Sequence, residues 1–183
     1  MRKPINLIII ILGLGLITSY IIYDKSSKTI NQIIANEYIS KPIVVREENK
    51  YNHIIGVLRI PKISFSMGFY NYQSQYNNVD KNITLLNNDL PDKENSTMII
   101  AAHSGNSYLG YFKNIDKLNI NDEIEIFYNN KKYLYIIDNI YEEDKDGTIS
   151  YIKNNKENIL ILTTCSKNKK KQLNIISKLY KIL

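Results

Sequence analysis

One cysteine, Cys165, and two histidines, His53 and His103, are the chain's whole stock of thiol and imidazole groups. A thiol attacks a carbonyl only as thiolate, and with a free pKa near ~8.5 it needs help at neutral pH. A neighbouring imidazole can supply that help and later protonate a leaving group. The same scarcity excludes an intramolecular disulfide and any Cys-rich zinc site. It also leaves few ways to build a histidine-based metal centre. His103 follows the apolar run Thr97–Ala102, and Cys165 follows the run Ile159–Thr164. Each run reads as a strand that delivers its reactive residue to the point where a loop begins, where functional groups often sit on a rigid scaffold. Ser104 adjoins His103, but neighbours on an extended chain face opposite sides, which makes it a poor nucleophile for that imidazole. His53 precedes the first strand with no partner in sequence and reads as a surface position.

The elements that must hold these groups are short apolar runs divided by Asn, Asp, Gly and Lys clusters, a β pattern. Strands are expected at Ile54–Ile60, Thr97–Ala102, Glu123–Tyr128, Tyr133–Ile140, Ile159–Thr164 and Leu173–Leu179. Asn129-Asn130 divides two of them as a hairpin turn, because Asn tolerates positive φ. Pro61 and Pro91 fall at segment edges, where a missing N–H does least harm. A short helix is expected over 111–118. Without helices of ten or more residues between strands, a parallel α/β sheet is excluded, and the fold class is mainly β, a barrel or sandwich. The chain has 183 residues, 44% hydrophobic and 23% charged, which suits one globular domain with an extension. Its formal charge of +6 comes from dispersed Lys, a weak basis for nucleic-acid binding.

The extension is the N-terminus. From Leu7 to Tyr23 the sequence carries no charge. At ~1.5 Å per residue the stretch 5–23 reaches close to the ~30 Å of a bilayer core. It is longer than a signal-peptide core, and no A-x-A-like cleavage site follows. An uncleaved anchor is expected over 1–25, with Arg2, Lys3 and the α-amino group favouring an inside N-terminus and a domain outside the cell membrane. Residues 26–50 are expected to form a juxtamembrane linker or helix, with apolar positions at Ile30, Ile33, Ile34 and Tyr38, ending by Pro42. Residues 51–183 make the domain proper.

Four segments of that domain, in order, resemble the sortase family. Gly56-Val57-Leu58-Arg59-Ile60-Pro61-Lys62-Ile63 resembles its first-strand GxLxIPxI signature. Ile99-Ile100-Ala101-Ala102-His103-Ser104-Gly105 is similar to the strand bearing its histidine. Leu109–Leu118 followed by Asn119–Ile124 resembles the F-x-x-L-x-x-L-x-x-G-D-x-I stretch, with Asn121 where Gly is usual. Leu160-Ile161-Leu162-Thr163-Thr164-Cys165 is similar to the T-L-x-T-C strand. The resemblance covers about residues 53–183.

The resemblance implies a closed eight-stranded β-barrel and cysteine transpeptidation. An LPxTG-like sorting signal would be cut at Thr–Gly, held as a thioester, and passed to an amine on a cell-wall precursor or a pilin. Cys165 then corresponds to the nucleophile and His103 to the acid/base, with Thr164 and Ser104 at the substrate. The family's third residue, an Arg on the strand after the cysteine, has no counterpart, since Arg59 belongs to the first-strand motif. Gln172 falls at that place, with Lys170 and Lys171 just before it. A Gln amide can donate to an oxyanion, though without a fixed charge. The alternative reading is a sortase-like binding or scaffold protein that kept the barrel and lost catalysis. No cofactor is expected. Glu142, Glu143, Asp144, Asp146 and Gly147 loosely suggest a calcium loop, yet the EF-hand spacing fails. The run Lys167, Lys169, Lys170, Lys171 reads as a solvated loop.

Overall fold

The computed structural model describes residues 3–40, 53–105, 109–154, 156–168 and 170–183. Helix α1 spans Lys3–Ser40, followed by β1 (Ile54–Ile60), β2 (Phe65–Tyr70), β3 (Thr84–Leu85), β4 (Thr97–Ala101), β5 (Glu123–Tyr128), β6 (Lys131–Asp144), β7 (Ile159–Cys165) and β8 (Lys171–Ile182). The strands form one eight-stranded sheet in the order β2-β1-β5-β6-β8-β7-β4-β3. Its edge strands β2 and β3 lie against each other, which makes it a nearly closed barrel. The mainly β class is the one the strand pattern predicts, and the eight-stranded barrel is the one the family resemblance implies.

Local chemistry explains the joints. A Cβ at Gly56 would lie 2.7 Å from the Phe127 carbonyl oxygen and closer still to the Phe69 ring, so β1 packs against β5 only with glycine there. Pro61 opens a 3₁₀ turn over Pro61–Ile63, and Ser64 at φ 50° turns the chain back into β2. Asn129 (φ 50°) and Asn130 (φ 57°) close the β5–β6 hairpin, as expected for an Asn-Asn pair between strands of right-handed twist. Asn121, at the family's glycine position, has φ 73°. Asn tolerates this left-handed backbone better than most residues, so the substitution preserves the turn into β5. The expected helix over 111–118 is a series of turns with a 3₁₀ segment at Ile115–Lys117.

The interior holds Leu58, Ile60, Phe69, Met98, Ile100, Phe112, Ile124, Ile126, Tyr135, Leu160, Leu162 and Ile175, among others, all buried. At ~1.5–3 kcal/mol per large apolar side chain, this burial is the main force closing the barrel. β7 is buried on both faces. Leu160 and Leu162 point inward, while Ile159 and Ile161 pack outside with Ile176, Ile99, Tyr141 and Ile149. That double burial explains its unbroken apolar run, and β7 pairs in parallel with β4. Ile149 comes from the β6–β7 loop, which therefore covers the outer face of β7.

Over residues 3–40 the two N-terminal segments expected from the sequence run as a single helix. Nothing between Gly15 and Ser40 is Gly or Pro, so no residue there breaks it. Its C-terminal end docks on the barrel: Ala35 is buried with Ile54 and Val57, and the Tyr38 hydroxyl donates to the Ile55 carbonyl. Among the described residues, no helix is long and apolar enough to cross a membrane. The expected linker end at Pro42 lies outside the described residues, as does Lys169 of the Lys run.

Candidate active site

Parallel strands end at the same rim, and here the rim is stitched by side chains. The last β4–β7 pair is Ala101 with Thr163. Beyond it, the Ala102 N–H donates to the Thr163 carbonyl at 3.3 Å, and the Thr164 hydroxyl donates to the Ala102 carbonyl at 2.6 Å. The Ser104 hydroxyl donates to the Cys165 carbonyl at 2.6 Å. The two residues expected at the substrate, Thr164 and Ser104, thus hold the ends of β4 and β7 together. They fix His103 and Cys165 on one lip. The returning loop adds a further tie, from the Phe112 N–H to the His103 carbonyl at 2.9 Å.

His103 and Cys165 line the same open cleft of about 710 Å³. Its floor is apolar, made by Phe112, Ile115, Ile140 and Leu173, and its walls are polar, with Glu142, Asp116 and Lys167. That size and lining suit a short peptide segment with one apolar side chain. Cys165 is partly exposed and free. The His103 ring Nε2 faces Asp80 Oδ1 at 3.2 Å, and the two side chains are 40% and 75% exposed. An exposed pair of this kind contributes ~0–1 kcal/mol and mainly orients the ring. Among the described residues, His103 makes no hydrogen bond to Cys165, although both line the cleft.

Gln172 lies directly across from Cys165 in the β7–β8 ladder, so its placement on the strand after the cysteine agrees with the sequence reading. Its amide, however, is already committed. Nε2 donates to Glu143 Oε1 at 3.0 Å and to the Thr148 carbonyl. Both amide hydrogens are therefore used within the protein. A cation stands against the sulfur: Lys145 Nζ donates to Cys165 Sγ at 3.1 Å. The Lys145 N–H bonds the Lys170 carbonyl at 2.9 Å, continuing the β6–β8 ladder by one residue past Asp144–Lys171. Sequence reasoning missed Lys145. Its only trace there was a charged stretch before the cysteine strand.

Arg59 is held on β1 by Glu125, with its guanidinium over the Phe127 ring at 4.9 Å, three strands from β8. Half-buried His53 stays outside the cleft. Three acids of the suspected calcium loop are engaged elsewhere. Glu142 accepts from Ser166, Glu143 from Gln172, Asn174 and Ser150, and Asp146 from Thr148. Among the described residues, no group of three or more metal-binding side chains is gathered.

Burial pushes the Glu143 carboxyl up, but the donors from Gln172, Ser150 and Asn174 together outweigh it and hold the group below its ordinary 4.5. A depressed native value means stability that is present above the unfolded value and lost as pH falls through the native one. Glu143→Gln should therefore lower Tm at pH 7, and the gap to wild type should narrow below pH 4.5. Thermal unfolding of both proteins across that range checks it. A gap that stays constant into acid would show that Glu143 contributes no charge-dependent stability.

Cleft and barrel together define the class: an eight-stranded barrel with a cysteine and a histidine on one rim, at the ends of two parallel strands. The Sortase domain family model matches residues 58–180. The chain belongs to the sortase family, a family of transpeptidases. It is similar to a Clostridium perfringens sortase D5 transpeptidase at 24% identity and TM-score 0.65, covering 84% of this chain and 99% of that one. A Streptococcus pneumoniae sortase C matches at 20% identity and TM-score 0.63, covering 91% and 97%. A Clostridium perfringens sortase C, solved with the C-terminal cell wall sorting motif, matches at 18% and 0.62, covering 92% and 99%. At these identities the structural likeness speaks for the fold. No curated protein sequence matches the chain.

Proposed function

We propose that this chain is a cysteine transpeptidase that cuts an LPxTG-like sorting signal through a thioester on Cys165. It then hands the acyl group to an amine on a cell-wall precursor or pilin. Cys165 is the nucleophile and His103 the acid/base, with Thr164 and Ser104 fixing the rim on which substrate lies. The observation that carries this reading is that Cys165 and His103 flank one cleft with an apolar floor. The sulfur attacks the Thr carbonyl carbon, the C–N bond to Gly breaks, and His103 protonates the departing amine. An incoming amine gives its proton to His103 and displaces the thiolate.

The test is incubation of the full chain, in detergent micelles, with a set of LPxTG-like peptides and an amine acceptor. Cleavage between Thr and Gly with ligation to the acceptor is expected. A chain that binds these peptides but cleaves none would instead be the scaffold reading, which the committed Gln172 amide favours.

The same reading places the domain on the outer side of a membrane, held by residues 5–23. The side chains of Ile8–Leu12 and Ile21–Tyr23 stand more than half exposed along α1, and Leu16 is 74% exposed. Such a surface calls for lipid or protein around it. Each charge at mid-span costs ~2.5–3.5 kcal/mol on insertion scales. Ile11→Asp combined with Leu14→Asp should move the protein from the membrane pellet to the soluble fraction on ultracentrifugation. Unchanged fractionation would mean that this helix is not the anchor.

A further inference from the structure

The group bonded to the reactive sulfur is neither the imidazole nor the glutamine. Lys145 stands immediately after β6, its backbone pinned to Lys170 and its Nζ 3.1 Å from Cys165 Sγ. The β6–β7 loop that carries it covers the outer face of β7 through Ile149, so it approaches the rim from the side opposite the barrel interior. Four other charged groups around the cleft are already engaged. Lys167 pairs with Asp116 at 2.8 Å, His103 faces Asp80, Glu142 takes the Ser166 proton, and Glu143 is ringed by Gln172, Asn174 and Ser150. On β8, Lys171 lies in the ladder opposite Asp144, and Lys170 contributes its carbonyl to Lys145.

Resting on the transpeptidase reading above, we propose that Lys145 is the catalytic cation of this site, accompanying the sulfur anion and then the oxyanion of the tetrahedral intermediate. When thiolate attacks, the new C–S bond forms and the carbonyl π pair moves onto oxygen. The negative charge thus shifts from Sγ to an atom two bonds away. An ammonium has three donors on a rotatable stem and can follow that shift without moving its backbone. When the intermediate collapses, the pair returns to the carbonyl, the C–N bond breaks, and the amine leaves with the proton from His103. The resulting thioester carries no charge at sulfur. The interaction is strongest in the anionic states, so it acts on turnover more than on binding.

Three variants of the full chain test it: Lys145→Gln, Lys145→Arg and Lys171→Gln. Each is assayed for alkylation of Cys165 by iodoacetamide at pH 7 and for kcat and KM on an LPxTG-like peptide. Lys145→Gln should slow alkylation and lower kcat by about 10²-fold with KM little changed, the loss typical of one oxyanion donor. Lys145→Arg should restore most of both, because it keeps the charge. Lys171→Gln should behave as wild type. Wild-type alkylation and turnover in Lys145→Gln, or the full loss in Lys171→Gln instead, would overturn the assignment. The alkylation arm needs no substrate, so a chain that cleaves no peptide refutes the transpeptidase reading while the contact of Lys145 with the thiol is still decided.

Discussion

Cys165→Ala should show no detectable cleavage of LPxTG-like peptides while keeping its Tm and circular dichroism close to wild type. The asymmetry follows from where the residue sits. Cys165 ends β7 at the rim, partly exposed, with its carbonyl bonded to Ser104 and its backbone in the ladder opposite Gln172. Those contacts are backbone contacts and survive the substitution. What is lost is the sulfur, and the chain has no second thiol to replace it. Ser104, Thr164 and Ser166 bring hydroxyls to the cleft, but each already donates its proton, to the Cys165 carbonyl, the Ala102 carbonyl and Glu142. Cleavage that persists in Cys165→Ala would move the nucleophile to one of them.

His103→Ala should lower kcat by about 10²–10⁴-fold, the range typical of a general acid/base. The fold should be kept, since His103 follows β4 and its partly exposed side chain pairs with exposed Asp80. Its backbone carbonyl, which accepts from Phe112, remains. The effect should be larger on amide than on activated ester substrates, because an amine leaves poorly without a proton and an alkoxide or thiolate leaves more readily. Equal loss on both substrate types would assign His103 a structural task. Slow alkylation of Cys165 that is unchanged in His103→Ala, with no turnover in either protein, would favour the scaffold reading.

Much of the barrel was legible because its signals are local. Ile54–Ile60 and Glu123–Tyr128 form strands with the bounds read from the sequence, and Asn129-Asn130 turns the hairpin through two positive φ values. β2 escaped because Gly68 and Ser66 interrupt its apolar pattern; Gly68 is there because a Cβ would come 2.7 Å from Ile54 Cγ2. β3, only Thr84–Leu85, is too short for any periodicity. β6 runs on through Glu142, Glu143 and Asp144, residues that strand propensity disfavours, because β8 offers them a full ladder at the rim. The parallel β4–β7 pairing, whose crossover contains β5 and β6, is a tertiary fact that no local window shows.

The site divides in the same way. Cys165 and His103 were legible as scarce residues at strand ends, and the structure brings them to one cleft. The placement of Gln172 on the strand after the cysteine came from the family resemblance, and the ladder sets it opposite Cys165. Its commitment to Glu143 and Thr148 did not, because those partners come from β6 and the loop after it. Lys145 depends on that same loop folding back over β7, a non-local event. In a Lys-rich chain, one lysine among 24 basic residues carries no mark of its own.

The most direct measurement is the intact mass of the full chain, acid-quenched within the first turnovers on an LPxTG-like peptide. An added mass equal to the acid fragment ending in Thr less one water should appear, map to the tryptic peptide bearing Cys165, and vanish on treatment with hydroxylamine. It should be absent in Cys165→Ala. Cleaved peptide without any adduct on Cys165, or an adduct resistant to hydroxylamine and located on another residue, would contradict the thioester mechanism.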